Sequence, residues 1–536
     1  MAMATQGQVK SRGRDHRPGT RLAKLRSAAG RRVRGGALPL LVCGLSTAAF
    51  TVSAQDAEPR PRFLLQPSIG VQETLTSNVN LVKSDPHSDL ITQVSPTIRL
   101  VSPVGPIRGF LEYSLVGFLY ARESSLNNLQ QSLSAIGTAE AIEKWAFIDA
   151  SASITQENIS ALGKQSVDPA LNTGNRTEVA SARLAPYIQG KLGGFADYEA
   201  RLTLAATRSK DSPDDSTRVE SLLRVGSDPQ SFAFLGWSAD WLHQEIDFTA
   251  TGRQQNDRLT GAMTFAVTPE LRLSARAGRE VNDLVTLEKE TYNTYGAGIA
   301  WYPSERTKLD AMVEHRFFGN SHSVAFEFRT PLSVFQFRDK KDLAADSANN
   351  FSEGPRTIFD LLFQQFASVA PDPVQRAALV DAFLQNNGLT RTTLARGGFL
   401  TSNVTVQSRQ ELSFALLGVR GTVLISAFRN DARLVTPASG ASGDLAGANS
   451  LLQSGASINL SHRLTPLSAV SVDLSRTRTS GGVADEHTSL QSLTVTWSSR
   501  LAERVDLSVS ARRSSFDSAT DPYSESALIA NLRVQF

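Results

Sequence analysis

The stretch Ala527-Leu-Ile-Ala-Asn-Leu-Arg-Val-Gln-Phe536 is the part of the sequence that decides the fold. Apolar and polar side chains alternate along it with a period of two, which is typical of a β-strand with two unlike faces. Its apolar face consists of Leu528, Ala530, Leu532, Val534 and Phe536. A strand that meets lipid on one face and water on the other, with an aromatic residue at the interface, is what a membrane-spanning barrel needs. We interpret this stretch as the last membrane strand, the kind that barrel-assembly machinery recognises.

The opposite end of the chain has the pattern of an export signal. Residues 1–36 contain ten Lys or Arg and one acid, Asp15, and an apolar stretch follows from Ala37 to Phe50. The small residues Val52-Ser-Ala54 then resemble a signal-peptidase site. This order predicts a secretory signal peptide that is cleaved between Ala54 and Gln55.

Charge and cysteine content change once this leader is set aside. The whole chain has 55 Lys or Arg, 52 Asp or Glu and a net charge of +3. Without the leader 45 bases and 51 acids remain, a net charge of −6. The basic character therefore belongs to the leader, and no nucleic-acid partner is implied. The single cysteine, Cys43, also lies in the leader, so the mature chain is expected to contain no disulfide or thiolate metal site.

Alternating segments recur through the rest of the chain. Leu271–Ala277 and Val505–Arg512 are two of many, and a tilted membrane strand requires about ten residues of this kind. Short turns such as 267–271 contain Pro or small polar residues, and longer polar connections such as 430–449 lie between them. These features predict an all-β fold, a transmembrane antiparallel outer-membrane β-barrel of about 22 strands, in a range of roughly 18 to 24. The alternative is a soluble β-sandwich that ends on an edge strand.

One long segment, 339–401, interrupts the strand pattern with two helix-like stretches, 357–369 and 373–388. Because a helical hairpin with one apolar face must bury that face, we expect either a plug or lid inside the pore or a helical cap outside it. The residues proposed for the plug are Ile358, Leu361, Leu362, Phe366, Leu379 and Phe383. The predicted organisation is a signal peptide at 1–54, a short periplasmic segment at 55–64 and a barrel at 65–536, with the helical insertion at 339–401.

Polar residues on the predicted inner face carry both signs of charge, with serines and threonines between them. Those assigned to the lumen are Glu112, Asp149, Arg183, Arg218, Glu220, Arg224, Arg258, Arg272, Arg276, Asp310, Glu314, Arg316, Asp473, Asp506, Arg512, Asn531 and Arg533. A wall of this kind suits sugars, and it is also what any large barrel needs around its water-filled interior. Trp145 and Phe147 are interpreted either as part of an aromatic rail for sugar rings or as part of a periplasmic aromatic girdle.

No motif in the sequence indicates catalysis. The histidines that follow the leader form neither an H-x-x-x-H nor an H-E-x-x-H pattern, and no glycine-rich phosphate loop occurs. Serine is so abundant that its nearness to a histidine has little diagnostic value. The sequence therefore predicts a protein that is not an enzyme, without a catalytic site, a metal site or a cofactor.

Five short motifs carry a family resemblance. They are Thr76-Ser-Asn-Val-Asn-Leu81, Ser88-Asp-Leu-Ile-Thr-Gln-Val-Ser-Pro96, Trp145-Ala-Phe-Ile-Asp-Ala-Ser-Ala152, His315-Arg-Phe-Phe-Gly319 and Phe328-Arg-Thr330. In these motifs the chain resembles the outer-membrane β-barrel proteins associated with the PEP-CTERM/exosortase system of Gram-negative exopolysaccharide producers. The resemblance implies an outer-membrane protein that accompanies extracellular polysaccharide synthesis and protein sorting. It assigns no functional residue.

Two functions follow as expectations. The first is a porin-like conduit of the Gram-negative outer membrane that is associated with exopolysaccharide export. The second is a non-conducting structural or docking barrel that presents its loops to polymer or to sorted proteins. A TonB-dependent transporter is disfavoured, because strand-like sequence begins near Leu65 and leaves no room for a globular N-terminal plug. The expected partners are outer-membrane lipid, barrel-assembly machinery, polysaccharide and periplasmic export components.

Overall fold

A computed structural model of the protein describes most residues from Phe63 to Phe536. The exceptions are 211–214, 228–233, 250–251, 287, 345–358, 360–361, 364–365, 367–369, 371, 387–400, 402, 436–442, 446–449 and 482–485. The predicted signal peptide, its cleavage site at Ala54 and Gln55, and nearly all of segment 55–64 lie outside the described residues.

The described residues form 22 β-strands that pair with their neighbours into one antiparallel sheet. The first eleven strands are β1 Leu64–Thr76, β2 Asp89–Ser102, β3 Ile107–Tyr120, β4 Asn128–Ile142, β5 Ala146–Asn158, β6 Arg176–Leu192, β7 Ala196–Ser209, β8 Ser216–Ser227, β9 Leu235–Phe248, β10 Gly252–Ala266 and β11 Leu271–Asn282. The others are β12 Glu290–Ser304, β13 Thr307–Arg316, β14 Gly319–Arg329, β15 Ser333–Ala344, β16 Thr405–Leu417, β17 Gly421–Leu434, β18 Ser450–Arg463, β19 Ser468–Gly481, β20 Glu486–Ala502, β21 Val505–Asp517 and β22 Tyr523–Gln535.

The first and last strands close the sheet into a barrel. β1 pairs antiparallel with β22 from Ser68 opposite Gln535 to Thr76 opposite Ala527. Closure leaves no exposed sheet edge, so every strand finds backbone partners on both sides. The predicted fold class, a 22-stranded antiparallel barrel, is confirmed.

The two ends of the barrel differ in the length of their connections. We call the end that holds Leu64, Gln535 and mostly short turns the turn end, and the opposite end the loop end. Turns of two residues join β12 to β13 and β20 to β21, whereas 159–175 joins β5 to β6 at the loop end. The alternation is not strict, because Phe317 and Phe318 alone connect β13 to β14 at the loop end.

Each strand has one apolar face and one polar face. On β22, Leu528 and Leu532 are exposed, while Tyr523 and Glu525 on the opposite face are buried. The same division follows from register along the whole sheet, because directly paired residues point to the same side. The exposed apolar face forms the outer surface of the barrel, as expected where strands contact lipid.

The segment between β15 and β16, residues 345–404, is called the insert. Its described part contains one helix, α1, at Pro373–Asn386. Short 3-10 turns also occur at Ser124–Leu126 and Gly443–Leu445, in two of the connections at the loop end. Among the described residues, no helix has the length and apolar character needed to span a membrane.

Candidate functional site in the barrel lumen

Strand register places every charged or amide residue assigned to the lumen by sequence on the inner face. On neighbouring strands Arg258 lies opposite Glu280, and Arg512 lies opposite Ala527, whose strand face also holds Glu525. The inner face therefore brings acids and bases of several strands within reach of one another. Its composition is mixed in charge and rich in hydroxyl groups, as the sequence predicts.

Arg316 forms a charge cluster on this wall together with Glu280 and Asp342. The Arg316 guanidinium donates to Glu280 Oε1 at 2.5 Å and to Asp342 Oδ1 at 2.6 Å. The side chain of Glu280 is completely buried. A buried charge is stable only when it is paired and hydrogen-bonded, so this cluster ties β11, β13 and β15 together. Sequence reasoning identified Arg316 but missed Glu280 and Asp342, which only the strand register brings to it.

An aromatic stack lies on the inner wall near the turn end. The rings of Phe147 and Tyr187 are stacked with centroids 5.1 Å apart. The Arg201 guanidinium lies 3.9 Å from the Tyr187 centroid and donates to Asp149 Oδ2 at 2.9 Å. Trp145 instead lies in the turn between β4 and β5, where its indole nitrogen donates to the Tyr198 hydroxyl at 2.9 Å. Phe147 and Trp145 therefore belong to different surfaces, the inner wall and the rim of the turn end.

The insert is attached to β2 and β3 by two ion pairs. Arg99 on β2 pairs with Asp381 of α1, and Arg108 on β3 pairs with Asp372 at 3.2 Å. Both arginines lie on the inner face, in the half of the barrel nearer the turn end. The insert enters from the loop end, so its helix reaches past the middle of the lumen.

Apolar contacts join the same insert to strands on two sides of the barrel. Phe359, Leu362 and Phe366 form one buried cluster with Ala377, Val380 and Leu384 of α1. That cluster includes Phe110 of β3 on one side, and Ala415 of β16 and Leu424 of β17 on another. β3 and β16 are nine strands apart by the shorter route around the barrel. The described part of the insert thus connects well-separated walls across the lumen.

The residues that sequence analysis assigned to the plug divide into three groups. Leu362 and Phe366 are buried in the cluster, and Phe383 packs against it with its ring 5.8 Å from that of Phe366. Leu379 is partly exposed and is not a member of the cluster. The buried face of α1 is formed instead by Ala377, Val380 and Leu384, and Leu379 lies on a different face of the helix. Ile358 and Leu361 lie outside the described residues.

Arg376 of α1 covers the aromatic part of the insert. Its guanidinium lies 4.8 Å from the Phe363 centroid, and its Nε donates to the Ala370 carbonyl at 2.8 Å. Burial lowers the pKa of the Arg376 guanidinium, and the nearby Asp372 carboxylate opposes that shift. A cation over an aromatic face adds to the cohesion of the folded insert.

A second segment covers the loop end. We call residues 159–175, between β5 and β6, the mouth loop. At one side of the barrel the Ser160 hydroxyl donates to Asp444 Oδ1 at 2.6 Å, in the connection between β17 and β18. At another side the Tyr523 hydroxyl donates to the Gln165 carbonyl at 2.6 Å. The mouth loop therefore extends across the opening instead of standing away from it.

Asp168 anchors the mouth loop through a buried ion network. Arg512 of β21 contacts Asp168 at 2.7 Å and Glu525 of β22 at 2.8 Å. Glu525 also accepts hydrogen bonds from the hydroxyls of Ser514 and Thr76, at 2.9 and 3.0 Å. All three charged side chains are buried. The network joins the mouth loop to β21, β22 and β1.

Histidines do not form a site in the described part of the chain. His243 pairs with Asp257 at 2.6 Å and His322 with Asp339 at 3.0 Å, all four on the outer face of the barrel. Among the residues that the structure describes, no group of His, Cys, Asp and Glu is arranged to hold a metal ion. The chemistry of the lumen is thus that of ion pairs, hydroxyls and aromatic rings.

Comparison with known proteins gives matches in fold. No protein-family model matches the chain, and no curated protein matches it. The barrel is similar to that of the FrpB iron transporter from Neisseria meningitidis (F3-3 variant), with 10% identity, a TM-score of 0.45, and coverage of 88% of this chain and 81% of that one. It is also similar to the siderophore receptor PiuA from Acinetobacter baumannii, with 9% identity, a TM-score of 0.44, and coverage of 89% and 82%. OccK2 (OpdF) from Pseudomonas aeruginosa matches with 11% identity, a TM-score of 0.29, and coverage of 88% and 98%. At such identities the likeness is one of fold alone.

Proposed function

We propose that the protein is an outer-membrane conduit for a bulky hydrophilic cargo, and that the insert closes it at rest. The observation that carries this proposal is the apolar cluster that connects β3 with β16 and β17 across the lumen. A barrel of 22 strands is wide enough to need a plug if it is not to leak. Here the plug would come from a connection between strands instead of from the N-terminus.

The cargo we propose is an exopolysaccharide. The inner wall supports this, because hydroxyls and charges of both signs suit a neutral or weakly charged sugar chain better than a small ion of one sign. The stacked pair of Phe147 and Tyr187 adds an apolar surface near the turn end. The family resemblance supplies the biological context.

The proposed role of the insert in closing the pore is tested by breaking its two ion pairs while the insert itself is kept. Asp372→Asn with Asp381→Asn removes the carboxylate from both ion pairs, so we expect the insert to leave the lumen more often. Conductance of the purified barrel in planar bilayers and entry of large antibiotics into cells should both rise. The matched control is Arg433→Gln with Asp431→Asn, a pair at 2.7 Å whose residues point to the outer face of β17.

The cargo is tested in cells that lack the chain. Polymer that accumulates in the periplasm, with less in the medium and recovery when the intact chain is restored, would support export. Normal export in that strain would exclude the exopolysaccharide role, whatever the conductance measurements show.

A docking barrel is the second candidate, and the mouth loop is the observation that favours it. A loop tied down by Asp168 and Asp444 offers a fixed surface at the loop end and obstructs passage. Removal of 345–400, with a short glycine-serine linker between β15 and β16, separates the two functions. A variant that folds but still does not conduct would contradict the conduit and support docking.

A further inference from the structure

The outer face of β17–β22 has an unusual boundary between its apolar band and its polar rim at the loop end. On β17 the outward residues nearest the turn end are Val423, Ile425 and Ala427, and the first polar one is Arg429. On β19 Leu474 is followed by Arg476, and on β21 Ala511 is followed by Arg513. On β17, β19 and β21 the first polar residue is therefore arginine.

We call Arg429, Arg476 and Arg513 the arginine belt. The intervening strands contribute Ser454, Gln491 and Ser526 at the same boundary. Register displaces each arginine by two residues along its strand from the one two strands before it, because Ser454 pairs with Arg429 and Arg478, and Gln491 pairs with Arg476 and Ser515. With strands about 4.8 Å apart and about 3.4 Å per residue, successive belt residues start roughly 12 Å from one another. Small polar residues between them leave room for a ligand that reaches from one arginine to the next.

The three belt arginines are exposed, and none has an ion-pair partner among the residues that the structure describes. Arg513 makes a single 3.3 Å contact with the Ser526 hydroxyl. Other charged groups lie close by on these strands. Arg478 adds a further base one outward position above Arg476, Arg433 is paired with Asp431, and Asp517 and Glu486 lie at strand ends.

The same boundary elsewhere on the barrel is more mixed in charge. It holds isolated arginines, Arg208 on β7, which pairs with Asp215 at 3.8 Å, and Arg279 on β11. It carries the His243–Asp257 pair on β9 and β10 and the His322–Asp339 pair on β14 and β15. On β1 it carries Glu73, which accepts from the Thr92 hydroxyl at 2.9 Å. Among the described residues, β17–β22 are therefore set apart by three unpaired arginines on alternate strands, which a general need for polar residues at a membrane surface does not explain.

We propose that the arginine belt binds the phosphorylated disaccharide headgroup of the glycolipid that forms the outer leaflet. A guanidinium group binds phosphate with two parallel hydrogen bonds, and its position just above the apolar band matches a headgroup whose acyl chains lie against that band. The lipid then forms a fixed patch along β17–β22. The proposal rests on the outer-membrane placement of the barrel and not on conduction.

The test uses the full barrel in detergent and fluorescently labelled lipid A with both phosphates. R429Q/R476Q/R513Q should weaken binding about tenfold or more, because hydrogen bonds between charged groups are lost at three points. The control is R279Q/K341Q, which removes two outward bases of other sectors and should leave affinity within about twofold. Heat-modifiable migration on gels checks that both variants keep their barrels.

Two further probes separate the headgroup from general charge. Dephosphorylated lipid A should bind the native barrel as weakly as bisphosphorylated lipid A binds the triple variant. Phosphatidylglycerol should bind weakly and lose little in the triple variant. Equal lipid A binding by the triple variant and the native protein would overturn the proposal, and so would equal losses in the triple and control variants. Phosphatidylglycerol that binds the native barrel as tightly as lipid A does would also overturn it. Conductance should be the same in all variants.

Discussion

Replacement of Arg512 by methionine should destabilise the barrel by breaking a buried ion network on its inner wall near the loop end. Arg512 contacts Asp168 at 2.7 Å and Glu525 at 2.8 Å, and all three side chains are buried. Loss of one partner from a buried ion pair costs about 3–5 kcal/mol, because an uncompensated charge remains. Glu525 keeps its bonds from the Ser514 and Thr76 hydroxyls, so we expect about 3 kcal/mol, the lower end of that range.

The neighbouring residue supplies a matched control. Arg513 is on the same strand but on the outer face, where it makes only a 3.3 Å contact with Ser526. Arg513→Met should change the free energy of unfolding by less than about 0.5 kcal/mol. Urea unfolding of barrels refolded in lipid vesicles, followed by heat-modifiable migration, measures both changes. A loss below about 1 kcal/mol for Arg512→Met would refute the assignment of a tightly coupled network.

A third variant separates the barrel from the mouth loop. Asp168→Asn keeps the Arg512–Glu525 pair but removes the charge that the mouth loop contributes. Its stability loss should be smaller, about 1–3 kcal/mol, while single-channel recordings should show more frequent openings than in the native protein. Unchanged recordings would mean that the mouth loop does not limit passage.

Three further changes test other parts of the fold. Gly278→Ala should lower the free energy of unfolding by about 1–3 kcal/mol, because a Cβ there would lie 2.3 Å from a carbonyl oxygen of the neighbouring strand. The control Gly261→Ala, where the nearest atom lies at 3.8 Å, should be nearly neutral. Equal urea midpoints for the two variants would contradict this. Glu280→Ala should lower the free energy of unfolding by about 3 kcal/mol, since its buried partner Arg316 then keeps one acid of the cluster, Asp342. An unchanged urea midpoint would exclude the buried ion pair. Phe536→Ala removes an exposed ring, so it should change the free energy of unfolding of the purified barrel by less than about 1 kcal/mol. It should nevertheless reduce the amount of assembled barrel in cells. Normal assembly would contradict the recognition role of the last strand.

The faces of the strands could be predicted from sequence because a period of two is a local property. Leu528 and Leu532 are exposed on the outer face, and Arg258 and Arg512 lie on the inner face, as the alternation predicts. The partners of those arginines could not be predicted. They depend on the register between strands, and a slip of one residue would exchange the two faces.

The long-range contacts of the insert could not be predicted from the sequence either. Arg99 and Asp381 are 282 residues apart, and nothing local marks them as partners. Helical spacing identified Leu362 and Phe366 as buried residues, but it could not set the phase of α1 well enough to choose Val380 over Leu379. The missing information is which wall the helix faces, and that is a tertiary property.

The attachment of the mouth loop has a consequence for the order of assembly. Its buried anchor needs Arg512 and Glu525 from the last two strands, and Glu525 in turn takes a hydrogen bond from Thr76 on β1. The buried anchor is therefore complete only when the first and last strands have met. We expect the mouth loop to be less firmly held until then, which gives the insert time to enter the lumen. The covering of the mouth would then be the final step of maturation, and protection of 159–175 from proteases would report that the barrel has closed.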